Sequence, residues 1–100
     1  SYNGLRLGGN LAKRDGVEVK IFCFGDAVTC AIAHQQLPNG YYHLDRMITS
    51  AARHGAEIGL CGTCMDARGI TDDMLVPEAR RSTLDEATDW TIWADKTITF

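Results

Sequence analysis

The sequence predicts an α/β fold built on a mainly parallel sheet, and three observations carry that expectation. Val17 to Phe24 reads as a strand that is apolar on both faces, the pattern of a strand covered on two sides. An amphipathic helix from Tyr42 to His54 leads straight into a second apolar run, Ala56 to Leu60. A further helix from Ser82 precedes a last short strand, Lys96 to Phe100, with Ile98 and Phe100 on one face. Strands that alternate with helices imply crossover connections and parallel pairing.

Tyr2 to Arg14 is expected to be the first helix. Leu7 and Leu11 sit four apart, as do Gly8 and Ala12, and Lys13-Arg14 lie where the helix dipole favours positive charge. Gly8 and Gly9 lower helix propensity by about 1 kcal/mol each relative to Ala, and they permit close approach to a sheet. Asp15-Gly16 is the stop. In the first strand Val17, Val19, Ile21 and Cys23 share one face, with Phe22 and Phe24 on the other. Asp26 is placed to cap a short helix over Ala27 to Ala33.

Gln35 to Gly40, with Pro38 and Asn39-Gly40, reads as a loop. In the next helix Leu44, Met47, Ile48, Ala51 and Ala52 form the apolar stripe. His43, Asp45, Arg46 and Arg53 are expected on the opposite face, and Gly55 ends the helix. Ile70 to Arg81 has no clear period and is expected to be irregular or weakly helical. Ser82-x-x-Asp85 reads as a capping box for a helix that turns Leu84, Ala87, Thr91 and Ala94 toward the core. Three strands are few for such a sheet. The chain opens at Ser1 inside a helical pattern, so a strand before it is expected.

One hundred residues suit one domain over 1–100. A net charge of −3 with scattered basic residues argues against nucleic-acid binding, which needs clustered Lys and Arg. No apolar run approaches the roughly 20 residues that span a bilayer, and no signal peptide is evident, so a cytoplasmic location is expected. Four cysteines in such a chain are expected to be reduced thiols. Cys23 and Cys30 read as buried small hydrophobes.

The chemistry-bearing stretch is Cys61-Gly62-Thr63-Cys64-Met65-Asp66-Ala67-Arg68-Gly69-Ile70. It leaves the carboxyl end of the second strand, where ligands gather in open α/β sheets. A Cys-x-x-Cys supports thiol–disulfide exchange, half of a zinc site, or sulfur carriage as a persulfide. Zinc needs four ligands, and no second pair or suitably spaced histidines accompany this one; neither a metal nor a cofactor is expected. A thioredoxin-type pair opens a long helix, which Gly69, Asp72 and Asp73 would interrupt. Exchange and sulfur carriage both require a thiolate. Arg68 is the expected source of local positive charge. Gly69 is expected to supply a turn with positive φ whose N–H groups point inward, with Asp66 in the same supporting turn.

Four segments in order resemble the DsrE/DsrF-like family, closest to its YchN-like branch: Asn3-x-Leu5-Arg6-Leu7, Phe22-x-x-Gly25-Asp26-Ala27-Val28, Cys61-x-x-Cys64-x-Asp66-x-Arg68-Gly69-Ile70, and Trp90 through Ala94-Asp95-Lys96 to Phe100. The resemblance implies a Rossmann-like three-layer domain whose first strand is absent from this chain. It also implies a homo-oligomer, a hexamer or trimer of dimers, and a role in intracellular sulfur handling. Cys61 then matches the persulfide-bearing position, and Cys64 the branch's second cysteine. The implied partners are sulfur donor and acceptor proteins or small persulfides, with no nucleic acid and no membrane. The catalytic set expected is Cys61, Cys64 and Arg68, in a sulfurtransferase or sulfur carrier. Two other readings are a non-catalytic oligomeric binding module and a Cys61/Cys64 redox switch.

Overall fold

The structure is a computed structural model and describes residues 1–100. Three strands form one parallel sheet in the order β1-β2-β3: β1 at Lys20–Cys23, β2 at Glu57–Cys61 and β3 at Ala79–Ser82. Four α-helices accompany them: α1 at Tyr2–Ala12, α2 at Leu44–Arg53, α3 at Gly62–Asp66 and α4 at Leu84–Trp93. The register sets Ile21 beside Ile58, and Ile58 beside Ala79, so these side chains share one face.

That face meets α1 and α2. Ile48 of α2 and Ile58 and Leu60 of β2 are essentially sealed from solvent, with Met65 and Val28 beside them. Burial of each such side chain contributes roughly 2 kcal/mol. Gly8 brings α1 onto the sheet: a Cβ there would lie 3.1 Å from Ile21 Cδ1. The opposite face meets α4. A Cβ on Gly59 would sit 3.2 Å from both Trp90 Cη2 and Phe22 Cδ2, so the missing side chain lets the indole lie on β2. Phe22 and Trp90 meet edge to face at 5.9 Å. Helices on both faces of a parallel sheet give the expected three-layer α/β architecture.

Several boundaries differ from the sequence reading, each for a physical reason. The first strand contracts to Lys20–Cys23, because β2 pairs with only that length, and Val17 is exposed. The buried stripe of α1 is Leu5, Gly8 and Ala12, while Leu7 faces outward. The segment after β1 is a 3-10 helix at Gly25–Ala31, with Asp26 inside its first turn rather than at its cap. Asp45 is buried, not on the polar face.

The third strand is β3, within the stretch expected to be irregular. Lys96 to Phe100 is not a strand; no neighbour pairs with it, and Phe100 lies against Gly4 of α1 instead. The α4 cap also shifts by one residue. Thr83 accepts from the Glu86 N–H at 3.2 Å, and Ser82 closes β3 with its hydroxyl bonded to the Glu86 carboxylate. Leu84 is correspondingly exposed. No helix is long and apolar enough to cross a membrane.

Candidate functional site at the carboxyl end of the central strand

β2 is the central strand, and Cys61 is its last residue. The chain turns at Cys61 directly into α3, so Cys64 follows on the first turn. Met65 fills the core beneath this turn. Gly69 takes a φ of +66°, as expected of the turn that ends α3. Its N–H donates to the Asp66 carbonyl and that of Ile70 to the Met65 carbonyl. Those donors close α3 and do not reach the sulfur.

The groups that do reach it come from the first turn of α3. Cys61 Sγ lies 3.3 Å from the Thr63 hydroxyl. Its thiol pKa is lowered from the ordinary 9.0, first by a hydrogen bond from the Cys64 side chain and next by Thr63. Burial opposes this but ranks below both. The amide N–H groups of Thr63 and Cys64 add to the stabilisation of the anion without making a full capping bond. Cys61 is 7% exposed and Cys64 more open, and both are free thiols.

Two ion pairs flank the loop. Arg68 grips Asp26 through Nε at 2.9 Å and Nη2 at 2.7 Å, and its Nη1 donates to the Cys64 carbonyl at 3.0 Å. The guanidinium expected to face the sulfur therefore ties α3 to the 3-10 helix at Gly25–Ala31 and holds the Cys64 backbone. Asp66 accepts a two-pronged bond from Arg81 of β3, at 2.9 and 2.7 Å. That contact holds the Asp66 carboxyl below its usual range.

Of the residues singled out in the loop, Cys61 and Cys64 stand at the opening of α3, while Asp66, Arg68 and Gly69 lie toward its far end and bond to other partners than the sulfur. Thr63 and Arg81 complete the site and went unread in the sequence. Thr63 could have been found as the hydroxyl between the two cysteines. Arg81 lies 20 residues past Cys61 and has no local signal; only the parallel register, which pairs Cys61 with Ser82, brings it near. No group of three or more His, Cys, Asp or Glu side chains is arranged to hold a metal ion.

A parallel three-layer α/β domain with a polarised thiol pair beyond its central strand defines a small thiol-bearing α/β protein. Residues 1–100 match the model of the DsrE/DsrF-like family, and the chain belongs to that family, which is associated with sulfur relay. It is 33% identical to Protein YchN of Escherichia coli K12 over 100 residues, covering 99% of this chain and 85% of that protein. It is 28% identical to an uncharacterised protein of Methanocaldococcus jannaschii, over all of this chain and 86% of that one. The crystal structure of the E. coli YchN protein superposes with a TM-score of 0.91 at 33% identity, over 99% of this chain and 85% of that chain.

Proposed function

We propose that Cys61 accepts sulfane sulfur as a persulfide and hands it on. The observation that carries this reading is the place of one sulfur, at the carboxyl end of the central strand and 3.3 Å from the Thr63 hydroxyl, with its thiol lowered from the ordinary 9.0 by the Cys64 and Thr63 groups at the opening of α3. The Cys61 thiolate attacks the terminal sulfur of a donor R–S–SH. The donor S–S bond breaks, R–S⁻ leaves with the electron pair, and Cys61–S–SH remains. An acceptor thiolate then attacks the outer sulfur and releases Cys61 as thiolate. Cys64 donates a hydrogen bond to the anion at the start and end of the cycle. Arg68 holds the Cys64 backbone so that this donor stays in place.

Donor and acceptor are proteins or small persulfides with exposed sulfur, since nothing in the loop selects nucleic acid or lipid. Four unpaired cysteines support a reducing, cytoplasmic setting. The outward stripe of α4, with Leu84 at 69% and Ile92 at 79% exposure, supports a homo-oligomer such as a hexamer or trimer.

Intact-protein and peptide mass spectrometry after incubation with a small sulfane donor tests the reading. The wild type gains the mass of one sulfur on the Cys61 peptide, and Cys61→Ser does not. A wild type that gains none, or a Cys61→Ser protein that still gains it, overturns the proposal.

A further inference from the structure

Arg81 has no counterpart in the loop motif, yet its guanidinium lies over the residue between Cys61 and Thr63. A Cβ built on Gly62 would stand 2.9 Å from Arg81 Nε, 3.0 Å from Cζ and 3.0 Å from the Ser82 carbonyl. Glycine here leaves the space that the guanidinium fills. The other two nitrogens are clamped by Asp66, at the far end of α3. A planar fork that pairs two-pronged with a carboxylate fixes direction as well as distance. Arg81 therefore bridges β3 to both ends of α3, the short helix whose first turn carries the groups that hold the Cys61 sulfur.

We propose that Arg81, locked by Asp66 and seated on Gly62, is a positioning residue of the Cys61 site that sets Thr63 and Cys64 against the sulfur. It acts through those two residues rather than by touching the reacting atoms. The order of influences on the thiol agrees: Cys64 and Thr63 lead, while Arg81 and Cys61 sense one another only weakly. Asp66 neutralises most of the Arg81 charge, so geometry is the larger part of its role.

The other charged groups near the loop are already engaged or turned away. Arg68 is bound to Asp26, and Glu86 of α4 to Arg80 and Ser82. Asp72 acts on Arg81. Cys23 on β1 lies across from Leu60, and its thiol stays protonated.

The inference rests on Cys61 being the sulfur acceptor, and the experiment separates the two. The alkylation rate of the Cys61 peptide is followed against pH in the wild type, Arg81→Gln, Asp66→Asn and Arg81→Lys. Both Arg81→Gln and Asp66→Asn raise the apparent pKa by about one unit, a roughly tenfold loss of thiolate below it. The double variant shifts it no further than either single one, because the pair works as a unit. Arg81→Lys keeps the charge but not the fork and shifts the pKa nearly as far as Arg81→Gln. Arg81 and Asp66 keep 39% and 61% of their side-chain surface in solvent, and a circular-dichroism melt matching the wild type checks that each variant is folded before its pKa is read.

An unshifted pKa in Arg81→Gln, or full rescue by Arg81→Lys, overturns the positioning role. If either occurs while the wild type still loads sulfur, only this inference falls. If the pKa shifts as expected but no variant or wild type loads sulfur, the persulfide reading falls and the positioning role stands.

Discussion

Cys23 and Cys61 end neighbouring strands of one sheet and are almost equally hidden, at 6% and 7% exposure. Their thiols are nevertheless pushed in opposite directions. Cys23 rises to about 12, because burial disfavours its anion and the nearby Cys30 thiol adds repulsion. Cys61 falls, because neighbouring hydrogen-bond donors outweigh its loss of solvent. Burial is the leading influence on Cys23, whereas Cys61 has the opening of α3 against its sulfur, with the Thr63 hydroxyl at 3.3 Å. The pair shows that a thiol's reactivity follows what points at the sulfur, not how much of it a probe can touch.

The contrast can be broken from either side. The largest effect is expected from Cys64→Ala, which removes the leading donor to Cys61. Its alkylation rate near pH 7 drops roughly tenfold, while Cys23 is unchanged; Thr63→Val does the same to a smaller degree. Peptide-resolved alkylation checks both, and a Cys61 rate indifferent to Cys64 would erase the distinction between the two thiols.

A smaller effect is read from stability. The unfolded Cys23 thiol ionises near its ordinary 9.0, and the native one only near 12. Its contribution is therefore complete below pH 9.0 and is lost as pH rises from there toward about 12. Denaturant melts across that range should decline with pH, and Cys23→Ala should flatten the decline. An equal slope in the two proteins would mean that Cys23 is not held as the thiol.

Most of the layer arrangement was legible because its carriers are local. The alternating apolar faces around Ile21, the stripe through Ile48 and the short run before Cys61 each announce an element by period. β3 was not legible, since Ala79-Arg80-Arg81-Ser82 shows no apolar alternation. Its arginines are satisfied by ion pairs, Arg80 with Glu86 and Arg81 with Asp66, so an edge strand forms from residues that read as solvent-facing. The opposite error arose at Ile98 and Phe100, whose alternation suggests a strand but finds no partner. In the site, the Cys-x-x-Cys and the Gly69 turn were legible from spacing. The pairing of Arg68 with Asp26, 42 residues away, and of Arg81 with Asp66 was not, because tertiary structure alone decides which carboxylate a guanidinium meets.

The most direct measurement is the titration of Cys61 itself, by pH-dependent alkylation resolved to single peptides in the folded wild-type protein. The account predicts an apparent pKa clearly below that of an ordinary thiol, with Cys23 unreactive over the same range. A Cys61 that titrates at or above the ordinary value, in step with Cys23, would contradict it.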